Sequence, residues 1–284
     1  MLAKLWHCTL GALGWLWILF ANCTFAYELA PHVEFEALDF ANITHDQTNV
    51  GSVTAIVQDN RGFMWFGGEN GLARYDGHSV LMYRAHHSKN SIAANYVQGL
   101  LVDGDDYLWV ANVGGLNRFN LRTGQFDLAN MSQGQLPNDD ALSIAKYEQW
   151  IIVGTSGGLA VLERETLAPV RPDFFNDLPP LLNVRYSYLF GDTLWLGTSH
   201  VGLIEIHLKT QQVTYYTPDN QKDIRGPHEI PHHDIRRIFT RDGETFWLGS
   251  LGGGLIRFNY TDKTFTQWAN TPNADYPFAT NDVW

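Results

Sequence analysis

Short apolar runs alternate along most of this chain with polar breaks rich in Gly, Asp and Asn, and within the runs apolar and polar positions alternate with the period of a strand. Val53-Thr54-Ala55-Ile56-Val57 predicts a strand closed by the turn Asp59-Asn60-Arg61-Gly62. Phe63 to Phe66 predicts a second strand, Leu72 to Tyr75 a third, and Ser79 to Tyr83 a fourth that follows Asp76-Gly77. The same succession returns downstream, with Asp103-Gly104, Gly191-Asp192 and Asp242-Gly243 between the first two strands and Thr123-Gly124 between the last two. Such steps close hairpins because Gly accepts positive φ without strain. No helical period is sustained outside the N-terminus, so the pattern is that of an all-β chain.

One phrase punctuates these strands. It reads Trp65-Phe66-Gly67 to Gly71-Leu72, Trp109-Val110-Ala111 to Gly115-Leu116, Ile152-Val153-Gly154 to Gly158-Leu159, Trp195-Leu196-Gly197 to Gly202-Leu203, and Trp247-Leu248-Gly249 to Gly254-Leu255. Counted from the Leu of each Gly-Leu step, successive copies lie 44, 43, 44 and 52 residues apart. Four strands in a period of that length are one blade of a β-propeller. The long last interval maps to Thr217 through Pro231, a stretch expected to be a loop between blades. Asn281-Asp282-Val283-Trp284 matches the opening of a repeat, so the expectation is five complete repeats plus the start of a sixth, an N-terminal fragment of a ring. Glu34 to Phe40 alternates like a strand and is expected to supply the outer strand of the closing blade.

The organisation expected is therefore a signal peptide over 1–26, an N-terminal segment over 27–52 and a partial propeller over 53–284. Lys4, the apolar stretch from Leu5 to Phe20 and the small-residue site ending at Ala26 carry the first assignment. An uncleaved membrane anchor is the rival reading, because the stretch from Leu5 to Ala26 is long enough to span a bilayer. Both cysteines, Cys8 and Cys23, fall in that segment, which leaves packing rather than disulfides to hold the mature domain. The formal net charge of −11 argues against nucleic acid as a partner.

The phrase Val53-x-x-Ile56-x-x-Asp59-x-x-Gly62-Phe63-x-Trp65-Phe66-Gly67-x-x-x-Gly71-Leu72-x-Arg74-Tyr75-Asp76-Gly77 closely resembles the two-component regulator propeller repeat, and the copy from Ile235 to Phe258 is similar to it as well. The resemblance implies a seven-bladed ring in the periplasmic sensor region of an inner-membrane signalling protein. Its output would be a histidine kinase, with a diguanylate cyclase as the alternative. It also implies an extracellular ligand, with a carbohydrate among the candidates, and a homodimer formed through the full-length protein. Output signatures are missing from these residues, so no catalytic residue, metal or cofactor is assigned. A propeller enzyme similar to streptogramin lyase and a non-signalling binding module are the remaining readings.

Several residue sets invite chemistry but have plainer roles. The Trp residues at 65, 109, 195 and 247 occupy one fixed place per blade, which suits packing between sheets. Asp59, Asp103, Asp192 and Asp242 precede tight turns and suit hydrogen bonding to their own backbone. His86-His87 and His232-His233, with His228, lack the spacing of metal ligands. Gly67-Gly68, Gly114-Gly115 and Gly252 to Gly254 precede strands, so no helix N-terminus is there to hold a phosphate. Recognition is expected instead in the loop from the second strand to the third, where copies differ: Glu69, Asn70, Asn112, Ser156, Ser199 and His200.

Overall fold

In the computed structural model the described residues are 49–88, 90–218, 228–270 and 279–284. The expected signal peptide and the strand from Glu34 to Phe40 lie outside them. The first blade is β1 (Val53–Gln58), β2 (Met64–Gly68), β3 (Gly71–Tyr75) and β4 (Val80–Tyr83). The second is β5 (Val97–Asp103), β6 (Tyr107–Asn112), β7 (Gly115–Asn120) and β8 (Phe126–Ala129), and the third is β9 (Ala141–Tyr147), β10 (Trp150–Thr155), β11 (Gly158–Glu163) and β12 (Pro169–Val170). The fourth is β13 (Val184–Phe190), β14 (Thr193–Thr198), β15 (Leu203–His207) and β16 (Gln212–Thr217). Beside β16 lies β17 (His228–Glu229), and the fifth blade is β18 (Ile235–Thr240), β19 (Thr245–Ser250), β20 (Gly254–Asn259) and β21 (Thr264–Trp268).

Each blade is a four-stranded antiparallel meander in chain order, and the first strands β1, β5, β9, β13 and β18 pack one against the next. The architecture is the expected all-β propeller. One difference lies in the segment Thr217 to Pro231, expected to be a loop throughout. His228 and Glu229 there pair in parallel with Tyr216 and Thr217, so part of the insertion extends the fourth sheet.

The repeated phrase has a physical cause in the contact between blades. Trp65, Trp109 and Trp195 are 0, 0 and 2% exposed, each set among residues of the blade that follows it. An indole of that kind takes roughly 200 Å² out of water, worth about 5 kcal/mol before the entropy of ordering it. In the third copy Ile152 occupies the place and is equally buried, facing the fourth blade. Trp247 differs: on the outward face of the fifth blade it is 38% exposed and stacks on Trp268 at 5.9 Å, with Phe239 58% exposed beside it.

The glycine two residues after the Trp position is required by the next blade. A Cβ on Gly67 would lie 2.5 Å from Val97 Cγ1, one on Gly197 would lie 2.7 Å from the Ile235 carbonyl oxygen, and one on Gly249 would lie 2.8 Å from that of Val283. Ala111 is the exception, and its neighbour is correspondingly small, since Ala111 packs with Ala141 in one core. Glycine therefore faces Val or Ile, and alanine faces alanine, at the same point of successive blade contacts.

Candidate functional site

The first strand of every blade carries a β-bulge near its start. Opposite β2, Val53 pairs with Gly68 and Ala55 with Gly67, which leaves Thr54 as the extra residue. In the same way Gln98 is extra between Val97 and Gly99, Leu142 between Ala141 and Ser143, Arg185 between Val184 and Tyr186, and Arg236 between Ile235 and Arg237. A bulge re-aims a side chain out of the alternating pleat. Here it turns five of them to one place: a cavity of about 260 Å³ is lined by Val53, Thr54, Tyr96, Gln98, Leu142, Arg185, Arg236, Arg237 and Trp284. All five bulge residues are on that wall.

Trp284 extends the series. Val283 N–H donates to the Ser250 carbonyl at 2.9 Å, and Val283 lies over Gly249 as Ile235 lies over Gly197. Trp284 thus follows Val283 as Arg236 follows Ile235 and Arg185 follows Val184, and the Arg236 guanidinium sits 5.3 Å from its ring.

The polar groups of the ring differ in how they are held. Gln98 Nε2 donates to Asp140 Oδ1 at 2.6 Å and to the Ala141 carbonyl at 3.1 Å. Thr54 Oγ1 donates to the Val97 carbonyl at 2.5 Å. Arg236 makes a two-pronged pair with Asp234, Nε to Oδ1 at 2.6 Å and Nη2 to Oδ2 at 2.9 Å. Arg237 lies over the Tyr186 ring at 5.1 Å and donates from Nη1 to the Arg236 carbonyl. Arg185 Nε is closed off from solvent and has no hydrogen-bond partner among the described residues. Burial, with Arg236 beside it, pulls the Arg185 guanidinium below its ordinary pKa, against the attraction of Asp234 and Asp140.

The loop residues expected to recognise a ligand lie at the same end of the blades as this ring but outside its lining. Hydrogen bonds fix that relation, because Asn70, Val113, Ser156, Ser199 and Leu251 each donate a backbone N–H to a carbonyl just ahead of the first strand of their own blade. Glu69, Asn70 and His200 are exposed, and Ser156 is half-buried with its hydroxyl donating to Asn138 Oδ1 at 3.0 Å. Ser199 is buried and bonded to His200 Nδ1 at 2.5 Å. Asn112 is wholly buried, accepting from Gly114 N–H at 2.8 Å and donating to Asn117 Oδ1 at 2.9 Å. Its role belongs to a series: Thr198 and Ser250 hold the same turn in later blades by donating to the Gly202 and Gly254 carbonyls at 3.0 and 2.7 Å.

The bulge ring was not legible as a site in the sequence, although a signal for it exists. Positions 54, 98, 142, 185 and 236 recur with the repeat and read Thr, Gln, Leu, Arg and Arg, whereas the residue before each is Val, Val, Ala, Val or Ile. A position that changes chemistry inside a strand whose neighbour stays apolar is one the core does not own.

The acids and histidines take structural places. Asp59 Oδ1 accepts the Arg61 and Phe63 N–H groups, both at 3.0 Å, while Oδ2 accepts Trp65 Nε1 at 3.0 Å. Asp242 Oδ1 accepts the Glu244 and Thr245 N–H groups at 2.9 Å. Asp103 and Asp192 depart from the expected turn role, since side chains rather than their own backbone donate to them: Trp109 Nε1, Arg164 Nε and Lys146 Nζ to Asp103, which ties the second blade to the third, and Tyr147 Oη and Lys209 Nζ to Asp192. The rings of His232 and His233 stack at 4.6 Å. Among the described residues no three His, Cys, Asp or Glu side chains are gathered as metal ligands.

Residues 48–70 match the family described as two component regulator propeller, so the first blade carries a repeat of that family. No curated protein matches the chain. Among solved structures it is similar to the extracellular domain of BT3049 from B. thetaiotaomicron, whose name assigns it to a hybrid two component system. The identity is 24%, the TM-score 0.65, and the match covers 79% of this chain and 31% of that one. The extracellular domain of BT4673 from the same organism gives 20% identity and a TM-score of 0.61, over 79% of this chain and 32% of the other. Virginiamycin B lyase from Staphylococcus aureus gives 14% identity and a TM-score of 0.57, over 79% and 72% of the two chains. These likenesses establish the propeller fold, and the chain spans about a third of the length of the first two.

Proposed function

We propose that this chain is the ligand-sensing propeller of a bacterial transmembrane signalling protein of the two-component type, exported to the periplasm, with a histidine kinase as output. The observation that carries the reading is the bulge ring. Successive blades repeat one scaffold, yet place Thr, Gln, Leu and two Arg at the equivalent inward position around one cavity. A frame held constant while one ring of side chains varies is how a propeller grafts specificity onto a common fold. The two component regulator propeller repeat over residues 48–70 supports the signalling context.

Sensing requires that the ligand favour one arrangement of the full-length protein by its differential affinity. The test uses membranes from cells expressing the complete gene product, labelled with ATP carrying a γ-phosphate tracer. Acid-labile, histidine-linked label is expected, with a level that changes when Gln98 or Arg236 is replaced. No acid-labile label, or a level indifferent to the ring, would sink the reading.

A further inference from the structure

The cavity gathers positive charge inside a chain whose formal net charge is −11. Arg185, Arg236 and Arg237 line it, while the two carboxylates that act on Arg185, Asp234 and Asp140, are already engaged by Arg236 and Gln98. Arg185 stands apart, because its Nε is enclosed by protein and finds no acceptor among the described residues. A buried donor of that kind is costly to the unliganded chain, and more so when it belongs to a cation. Arg185 is the extra residue of its bulge, opposite no residue of β14.

An anion in the cavity would answer the charge of the three arginines that line it. The guanidinium fork matches the two oxygens of a carboxylate, and desolvation inside a cavity strengthens that bond. The volume of about 260 Å³ corresponds to roughly nine waters at ~30 Å³ each, room for a small organic acid. Tyr96 and Trp284 add flat apolar surface to the wall for the carbon skeleton. We infer that the cavity binds a small organic carboxylate through Arg185, with Arg236 and Arg237 supplying the surrounding positive field. This deepens the sensor reading by giving the ligand's chemical class, and it rests on the bulge ring being the ligand seat.

The experiment is titration calorimetry and thermal melting of the full chain with succinate, citrate and sulfate as probes, on wild type and on Arg185→Met. At least one of the two carboxylates should bind saturably and raise the Tm of the wild type. In Arg185→Met that binding should weaken tenfold or more, while the Tm of the ligand-free variant rises by about 2–4 °C because an unpaired buried donor is gone. A lower Tm for ligand-free Arg185→Met would show the guanidinium to be structural and overturn the inference. So would saturable binding of neither carboxylate, or sulfate binding as tightly as both. Failure here would leave sensing of an uncharged ligand standing. Carboxylate binding without ring-dependent phosphorylation would remove the sensor reading alone.

Discussion

Gly67→Ala is the sharpest perturbation of the blade contact, because the added methyl has one neighbour to displace. Its Cβ would lie 2.5 Å from Val97 Cγ1 and 3.1 Å from Val97 Cβ, whereas carbon atoms rest at about 3.5–4.0 Å. Val97 is wholly buried and has nowhere to move. Overpacking of this size costs about 1–3 kcal/mol. Alanine's better intrinsic fit to a strand returns about 0.5–1 kcal/mol, so a net loss of about 1–2 kcal/mol is expected. Val97→Ala alone removes two buried methyl equivalents and should cost about 2 kcal/mol. Combined, the two changes recreate the Ala111–Ala141 contact of the next pair of blades, and the new methyl fills the space that Cγ1 vacates. The double variant should lose only about 1–2 kcal/mol, a coupling near −2 kcal/mol. Urea unfolding with unchanged m-values measures all four corners of the cycle. At Gly197 the same design should fail, since the nearest atom to its Cβ is the Ile235 carbonyl oxygen, which Ile235→Ala leaves in place. Losses at Gly67 and Val97 that add within about 0.5 kcal/mol would refute the complementarity.

Three further outcomes are expected. Asp103→Asn should cost about 3 kcal/mol by removing the charge and one of the two acceptor oxygens shared by Arg164, Lys146 and Trp109, and setting an amide donor against them. Burial raises the Asp103 carboxyl, but those donors outweigh it and hold the pKa below 3.8, so the wild-type advantage should be full above about pH 4 and fade as pH falls through the folded value. Tyr216→Phe deletes the 2.7 Å bond from its hydroxyl to buried Glu205, leaving Tyr260 as the carboxylate's tyrosine donor, and should lower stability by about 2 kcal/mol in the same unfolding assay. Leu142→Gln, at a bulge, should cost less than about 1 kcal/mol, whereas Ala141→Gln one residue earlier should unfold the contact between the second and third blades.

The strands and their order were legible because each hairpin carries its own turn chemistry. Gly104, Gly191 and Gly243 take φ of 59, 58 and 76°, the values their Asp-Gly and Gly-Asp steps anticipate. The third copy has neither Asp nor Gly in this turn, and there Glu148 adopts φ 51° in a two-residue link that Tyr147 and Trp150 flank with packed rings. Local pairing supplied what the missing motif would have. Trp247 shows the opposite limit: its sequence environment equals that of Trp195, but burial depends on what the next blade brings to it, which a single repeat does not encode.

Bulges were illegible for a related reason. Val53-Thr54-Ala55 reads as ordinary alternation, and the extra residue becomes visible only when the partner strand is in register and two residues face one. The same irregularity explains why chemistry can reside there at little structural cost. The residue before the bulge joins the core, as Val97, Val184 and Ile235 do, all wholly buried, while the extra residue has no partner across the ladder. A substitution at that position changes the wall of the cavity and leaves the apolar contact between blades in place, although Thr54 and Gln98 would each lose a hydrogen bond to the next blade. The Trp and Gly of each repeat then maintain the ring's spacing, and the bulge positions are free to differ from blade to blade, as Thr54, Gln98, Leu142, Arg185 and Arg236 do.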